Sequence, residues 1–146
     1  MSDVARLKEE LRGRGYKLTK QRESLLDALA EIKVPATVQE IFEQITKKNS
    51  TVNFSTVYRN LEMLVEEGLV LQLEFGRGAS YYELKWSDKH YHHLICKSCG
   101  KIQKTDFCPF SHMPPNQDFM PIEHRFEIYG LCKRCMKENE SREDDA

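Results

Sequence analysis

The sequence predicts an α+β chain in two parts: a small helical domain closed by a β-hairpin, then a small sheet organised around metal. Three observations predict it. Apolar residues recur at helical spacing four times before Gly68. Two β-rich runs parted by a glycine turn follow directly. Beyond Trp86 the character changes, and all five histidines and all five cysteines fall in this later half.

Leu7 and Leu11 mark a short first helix, which Gly13 and Gly15 break. Thr19 can cap a second helix whose apolar stripe is Leu25, Leu26, Leu29 and Ile32, and Pro35 closes the connection after it. Thr37 followed by Glu40 is a capping-box pattern, so a third helix is expected with Val38, Ile41, Phe42 and Ile45 inward. Ser55 is the expected cap of a fourth, which carries Val57, Leu61, Leu64 and Val65 inward and stops near Gly68. The β-rich runs are Leu69 to Phe75 and Ser80 to Leu84, with Gly76 to Ala79 as the turn. Short helices followed by a hairpin are the outline of a winged helix-turn-helix, in which the last helix enters the major groove of DNA and the hairpin is the wing. The expected boundaries are 1–84 for this domain, 85–89 for a hinge, 90–136 for the metal-organised domain and 137–146 for an acidic, flexible tail.

Exposed positions on the fourth helix fit that outline. Thr56, Tyr58, Arg59 and Asn60 gather at its N-terminal turns, and such side chains contact thymine methyls, phosphates or base edges. The net charge of −1 argues against indiscriminate coating of nucleic acid, but charge is unevenly distributed. Arg12, Arg14, Lys17, Lys20 and Arg22 lie close together without an intervening acid, whereas Glu138, Glu140, Glu143, Asp144 and Asp145 make the other end acidic.

No apolar run approaches the roughly 18 residues of a membrane span, and MSDVARLKEE lacks an apolar signal core, so a cytoplasmic protein without a membrane partner is expected. Thiols stay reduced there, and cysteines read first as metal ligands. Cys96-x-x-Cys99 and Cys132-x-x-Cys135 are two knuckle-type pairs, and together they complete a tetrahedron around a structural zinc ion. Gly100 suits the positive φ that such a turn often needs. A hydrolytic zinc enzyme would need an open metal position and a nearby base. Glu123 adjoins His124 but points to the opposite strand face, so no enzymatic activity is expected.

His93-Leu94-Ile95-Cys96-x-x-Cys99-Gly100-Lys101, His124-Arg125-Phe126-Glu127-Ile128-Tyr129-Gly130-x-Cys132-x-x-Cys135, Thr56-Val57-Tyr58-Arg59 and Leu18-Thr19-x-Gln21-Arg22 together resemble the ferric uptake regulator family. The resemblance implies a C-terminal α/β dimerisation domain, a homodimer, and metal-dependent repression of metal-homeostasis or oxidative-stress genes at a double-stranded DNA operator. It implies that Tyr58 and Arg59 meet DNA and that Lys17 reaches the minor groove. Arg22, Thr56 and Asn60 complete the expected DNA-binding set.

Family members also hold a second, regulatory divalent ion: Fe2+, Zn2+ or Mn2+. Aligned on the usual hinge site, this sequence reads Pro35, Glu83, Tyr91, His93 and Lys104, so only Glu83 and His93 keep ligand character. Asp106 would share a strand face with Lys104 and could supply a carboxylate. A second family site is better preserved. His90 and His92 alternate onto one strand face, and His124 matches a family ligand. The usual glutamate on a helix is replaced by Cys108-Pro109-Phe110-Ser111-His112-Met113-Pro114-Pro115, where Cys108 or His112 could complete the site. Two alternative functions remain open from sequence: a peroxide-sensing regulator of the same family, and a metal-independent DNA-binding or zinc-ribbon interaction protein.

Overall fold

Side-chain caps set where each helix of the N-terminal half begins. In the computed structural model, which describes residues 2–85 and 90–144, Ser2 caps helix α1 (Asp3–Gly13), and Gly15 at φ 92° turns the chain away from it. The Thr19 hydroxyl accepts the Arg22 N–H and starts α2 (Lys20–Ile32). Thr37 and Glu40 form the reciprocal capping box of α3 (Val38–Thr46). Helix α4 (Phe54–Glu66) is capped by Asn53 rather than Ser55: the Asn53 carboxamide oxygen accepts the Ser55 N–H at 2.8 Å, which places Ser55 inside the first turn.

Strands β1 (Val70–Glu74) and β2 (Ser80–Leu84) pair antiparallel from Val70↔Leu84 to Glu74↔Ser80. The turn between them uses Gly76 and Gly78 at φ 70° and 78°, a backbone region costly for other residues. Ala36 and Tyr82 exchange both backbone hydrogen bonds, at 2.8 and 3.0 Å, so the segment ahead of α3 bridges to the hairpin. Leu11, Leu25, Leu26, Ile41, Leu61 and Leu64 are fully buried in one core, each contributing on the order of 2 kcal/mol by leaving water. Tyr16 and Arg14 both donate to the Glu67 carboxylate, at 2.6 and 2.9 Å, which lowers the Glu67 pKa, the tyrosine bond first, and ties the end of α1 to the end of α4.

The chain divides into two compact units, Met1–Asp88 and Lys89–Ala146. The hinge expected at 85–89 falls, apart from Lys85, outside the described residues. In the second unit β3 (His92–Cys96) is the centre of a three-stranded sheet of order β4-β3-β5, with β4 (Ile102–Thr105) antiparallel to it and β5 (Glu127–Gly130) parallel. The long β4–β5 connection is mostly irregular, since its prolines permit only the single 3₁₀ turn Pro109–His112.

Two expectations need correction here. The segment from residue 137, expected as an acidic, flexible tail, is helical through Asp144, as part of α5 (Lys133–Asp144). Its lysines, arginines, glutamates and methionine are strong helix formers, and propensity outweighs the charge density that suggested a tail. Strand β4 ends at Thr105, so Asp106 lies past the strand and the face alternation expected of it does not apply.

Truncating Leu61 to Ala should destabilise the N-terminal unit by about 2–5 kcal/mol in denaturant titration, whereas Glu62→Ala on the exposed face of the same helix should change little. Equal effects would show that α4 is not packed by this face.

Candidate metal centres and nucleic-acid interface

The parallel register of β3 and β5 assembles the cysteine quartet. Cys96 ends β3 opposite Gly130, and the Lys97 N–H donates to the Gly130 carbonyl at 2.8 Å, so Cys132, two residues on, arrives beside the first knuckle. Gly100 at φ 82° closes that knuckle by donating to the Cys96 carbonyl. Cys135 sits in the first turn of α5. The four Sγ atoms lie within 4.8 Å of one another, with Cys99 and Cys132 at 3.7 Å. Zinc–sulfur bonds of about 2.3 Å give a tetrahedron with edges of about 3.8 Å, so the quartet fits a closed structural zinc site. The Cys99 N–H, then that of Cys132, pulls the Cys96 thiol down to about 5, which favours the thiolate that binds metal.

A second cluster stands at the opposite end of the same sheet. His92 begins β3, His90 precedes it, Thr105 of β4 pairs with His92 so that Cys108 follows nearby, and His124 precedes β5. The Nε2 atoms of His90 and His92 are 2.9 Å apart, that of His124 is 2.9 and 3.2 Å from them, and the Cys108 Sγ is 3.3 Å from His124. Hydrogen bonding cannot satisfy this triangle. Each Nε2 either carries a proton or does not, so at most two of the three close pairs can join a donor to an acceptor. A cation drawing on every lone pair resolves all three. Burial, and then the proximity of His90 and His124, hold the His92 pKa below the usual histidine value, keeping its lone pair available.

Of the residues expected near this site, Cys108 joins and two do not. His112 is exposed, its ring 6.2 Å from that of Phe107, and Asp106 is exposed beyond β4. Glu83 is buried on β2 and His93 on β3, in different units, and neither belongs to either cluster. The positions aligned with two hinge ligands, Tyr91 and Lys104, instead form a cation–π pair, with the ammonium 5.2 Å from the ring centroid. Sequence reading missed Phe110, which stacks on His124 at 4.7 Å and 7°, and Phe126, edge-on to His92 at 5.4 Å. Phe126 lies two residues beyond His124, just ahead of β5, and that spacing was the signal that could have found it; Phe110 carries no sequence signal.

On the N-terminal unit, Tyr58 and Arg59 project from α4 into solvent and Lys17 is exposed before α2. Arg22 and Asn60 are engaged internally. The Arg22 guanidinium donates to Asn60 Oδ1 at 3.1 Å and to the Lys17 carbonyl at 2.7 Å, and lies over the Tyr16 ring. Thr56 is half-buried. Arg22 thus braces the start of α2 against α4.

A winged-helix unit with a solvent-facing fourth helix, followed by a small sheet with a four-cysteine cluster at one end and a histidine cluster at the other, defines a class of metal-binding regulator fold. The Ferric uptake regulator family profile matches residues 13–129, and the chain belongs to that family. It is 31% identical over 144 residues to the ferric uptake regulation protein of Synechococcus elongatus, covering 92% of this chain and 95% of that one. It is 34% identical over 139 residues to the peroxide operon regulator of Bacillus subtilis, covering 88% and 90%. Among solved structures, the ferric uptake regulator Fur of Helicobacter pylori superposes with a TM-score of 0.73 at 27% identity, covering 91% of each chain. Among the described residues no helix is long and apolar enough to cross a membrane.

Cys132→Ser should lose one tightly held zinc and destabilise the C-terminal unit, read by metal analysis and thermal melting. A stable variant that retains its zinc would remove the structural role.

Acidification should strip the two clusters in order. Protons compete with metal, so affinity is present above the ligand pKa values and lost as pH falls through them. The histidine ion should leave first, near and below the ordinary histidine value of about 6.5. The cysteine ion should leave later, because four thiolates in a closed shell hold zinc more strongly than neutral imidazoles do, and protons must displace it from that shell. Chelator-detected release in the reverse order would contradict the assignment.

Proposed function

We propose that this chain is a homodimeric, cytoplasmic transcriptional repressor that binds an operator when an exchangeable divalent ion occupies His90, His92, Cys108 and His124, while a zinc ion at Cys96, Cys99, Cys132 and Cys135 holds the C-terminal unit together. The observation that carries the reading is the unsatisfiable triangle of histidine nitrogens beside a thiol. The Helicobacter pylori regulator is described as having three functional metal binding sites, which supports an ion beyond the structural one. Tyr58, Arg59 and Lys17 are the contacts to DNA, and Arg22 and Asn60 act by holding α4 in place. Ile128, Tyr129 and Leu131, exposed on and after the edge strand β5, are apolar surface that a second copy would cover.

Control follows from differential affinity: the ion must bind the DNA-competent state more tightly than the other, and it shifts the population by that difference. A second reading, release of DNA by peroxide, is favoured by the likeness to the Bacillus subtilis peroxide operon regulator and by the oxidisable Cys108 within the cluster.

The test is operator binding with and without added metal. Replacing both His90 and His92 by Ala should keep the dimer and the cysteine-bound zinc yet abolish the metal response. Lys17→Ala should retain the response while reducing the salt slope by about one counterion. A double variant that still responds like the parent would place sensing elsewhere.

A further inference from the structure

The cluster of His90, His92, Cys108 and His124 has a donor set that selects among metals. We infer that it is a closed, four-coordinate zinc site in which the Cys108 thiolate sets the choice of ion. This rests on the reading of the cluster as the regulatory site and goes beyond it by naming the metal and the residue that selects it.

Three features carry the inference. The first is composition. Three imidazole nitrogens and one sulfur converge, and among the described residues no carboxylate belongs to the group. Manganese prefers oxygen ligands and ferrous iron binds more weakly than zinc to a given nitrogen and sulfur set, whereas thiolate with imidazole is a zinc donor set.

The second is geometry. Zinc–nitrogen bonds of about 2.0–2.1 Å make tetrahedral nitrogen–nitrogen edges of about 3.3 Å. The observed separations of 2.9, 2.9 and 3.2 Å, with sulfur 3.3 Å from His124, are slightly shorter than that, and they place all four donors around one centre where a single ion can be shared.

The third is rigidity. Cys108 caps the 3₁₀ turn, Pro109 follows it, and its carbonyl accepts both the Ser111 hydroxyl at 2.7 Å and the Ser111 N–H at 3.2 Å. Phe110 on the same turn stacks on His124, and Phe126 packs against His92. Aromatic surface against two of the imidazoles disfavours the additional water ligands that a six-coordinate ion requires. On binding, the Cys108 thiol loses its proton to solvent and a sulfur–metal bond forms, with no change of oxidation state.

Cobalt(II) tests this, because its spectrum reports both coordination number and thiolate ligation. Protein with zinc in the cysteine quartet is titrated with cobalt(II) chloride. The expected result is one further ion, with intense tetrahedral visible bands and a sulfur-to-cobalt charge-transfer band in the near ultraviolet. Cys108→Ser should lose the charge-transfer band while His90, His92 and His124 still bind cobalt more weakly. Cys108→Asp should lower the preference for zinc over manganese, measured by competition, by roughly tenfold or more.

Weak six-coordinate bands, absence of the thiolate band in the parent protein, or an unchanged preference in Cys108→Asp would overturn the inference and leave the cluster standing as a regulatory site. If no second ion binds at all, the inference and the regulatory reading fall together.

Discussion

The parallel pairing of β3 with β5 is the constraint on which the C-terminal unit depends. It sets Cys96 opposite Gly130 and thereby delivers Cys132 and Cys135 to the Cys96–Cys99 knuckle. The same register, read toward the other end, sets His93 opposite Glu127 and brings the segment carrying His124 to the start of β3, where the antiparallel β4 also delivers Cys108. The two clusters therefore terminate one short sheet, with His92 and Cys96 separated by about 13 Å of extended chain. A slip of one residue would turn every side chain of β5 to the opposite face and dismantle both clusters together. An ion in either cluster consequently opposes the same slip, and this gives the two sites a physical route to influence each other.

Legibility in the sequence divides along the same line. The caps at Thr19 and Thr37 and the apolar stripes of α2 to α4 are local patterns, and each appears where the spacing places it. Both cysteine pairs were readable because a knuckle is made by adjacent residues. His90, His92 and His124 were readable through alternation and resemblance. The completing ligand was not: Cys108, His112 and Asp106 are close in sequence, and only the course of the irregular β4–β5 connection brings the thiol inward while leaving the imidazole and carboxylate outside. The parallel partnership of β5 left no mark either, since a parallel crossover normally carries a helix and this one carries prolines. Arg22 shows the same limit on the other unit. Its charge suggested phosphate contact, but the carbonyl of Lys17 and the amide of Asn60 lie within its reach and engage it first.

The two units are held by different physics. In the first, a contiguous set of leucines, isoleucines and valines is sealed from water. In the second, the buried apolar side chains among the described residues are Ile95, Cys96, Ile102 and Cys135, and two of these are metal-ligand candidates. A core this thin does not stabilise a small domain alone. A structural zinc contributes on the order of 10 kcal/mol, comparable to the entire stability of an ordinary domain.

That disproportion explains why one sheet carries two unlike clusters. An ion on which folding depends cannot also serve as a signal, because its departure would destroy the reader along with the message. The thiolate set suits the permanent role: four charged sulfurs hold zinc more strongly than neutral imidazoles do, and the ion ties two distant segments of the chain together. The histidine-rich set, three neutral imidazoles with a thiol drawn from a loop, suits exchange. Once the first ion has secured the register, the second has only to bias a folded sheet between two states. An ion present at about a hundred times its dissociation constant supplies about 2.7 kcal/mol, within the usual range of allosteric coupling and far below what folding the domain requires. Separating the two roles at opposite ends of β3 would let a sensing ion come and go without loss of the fold.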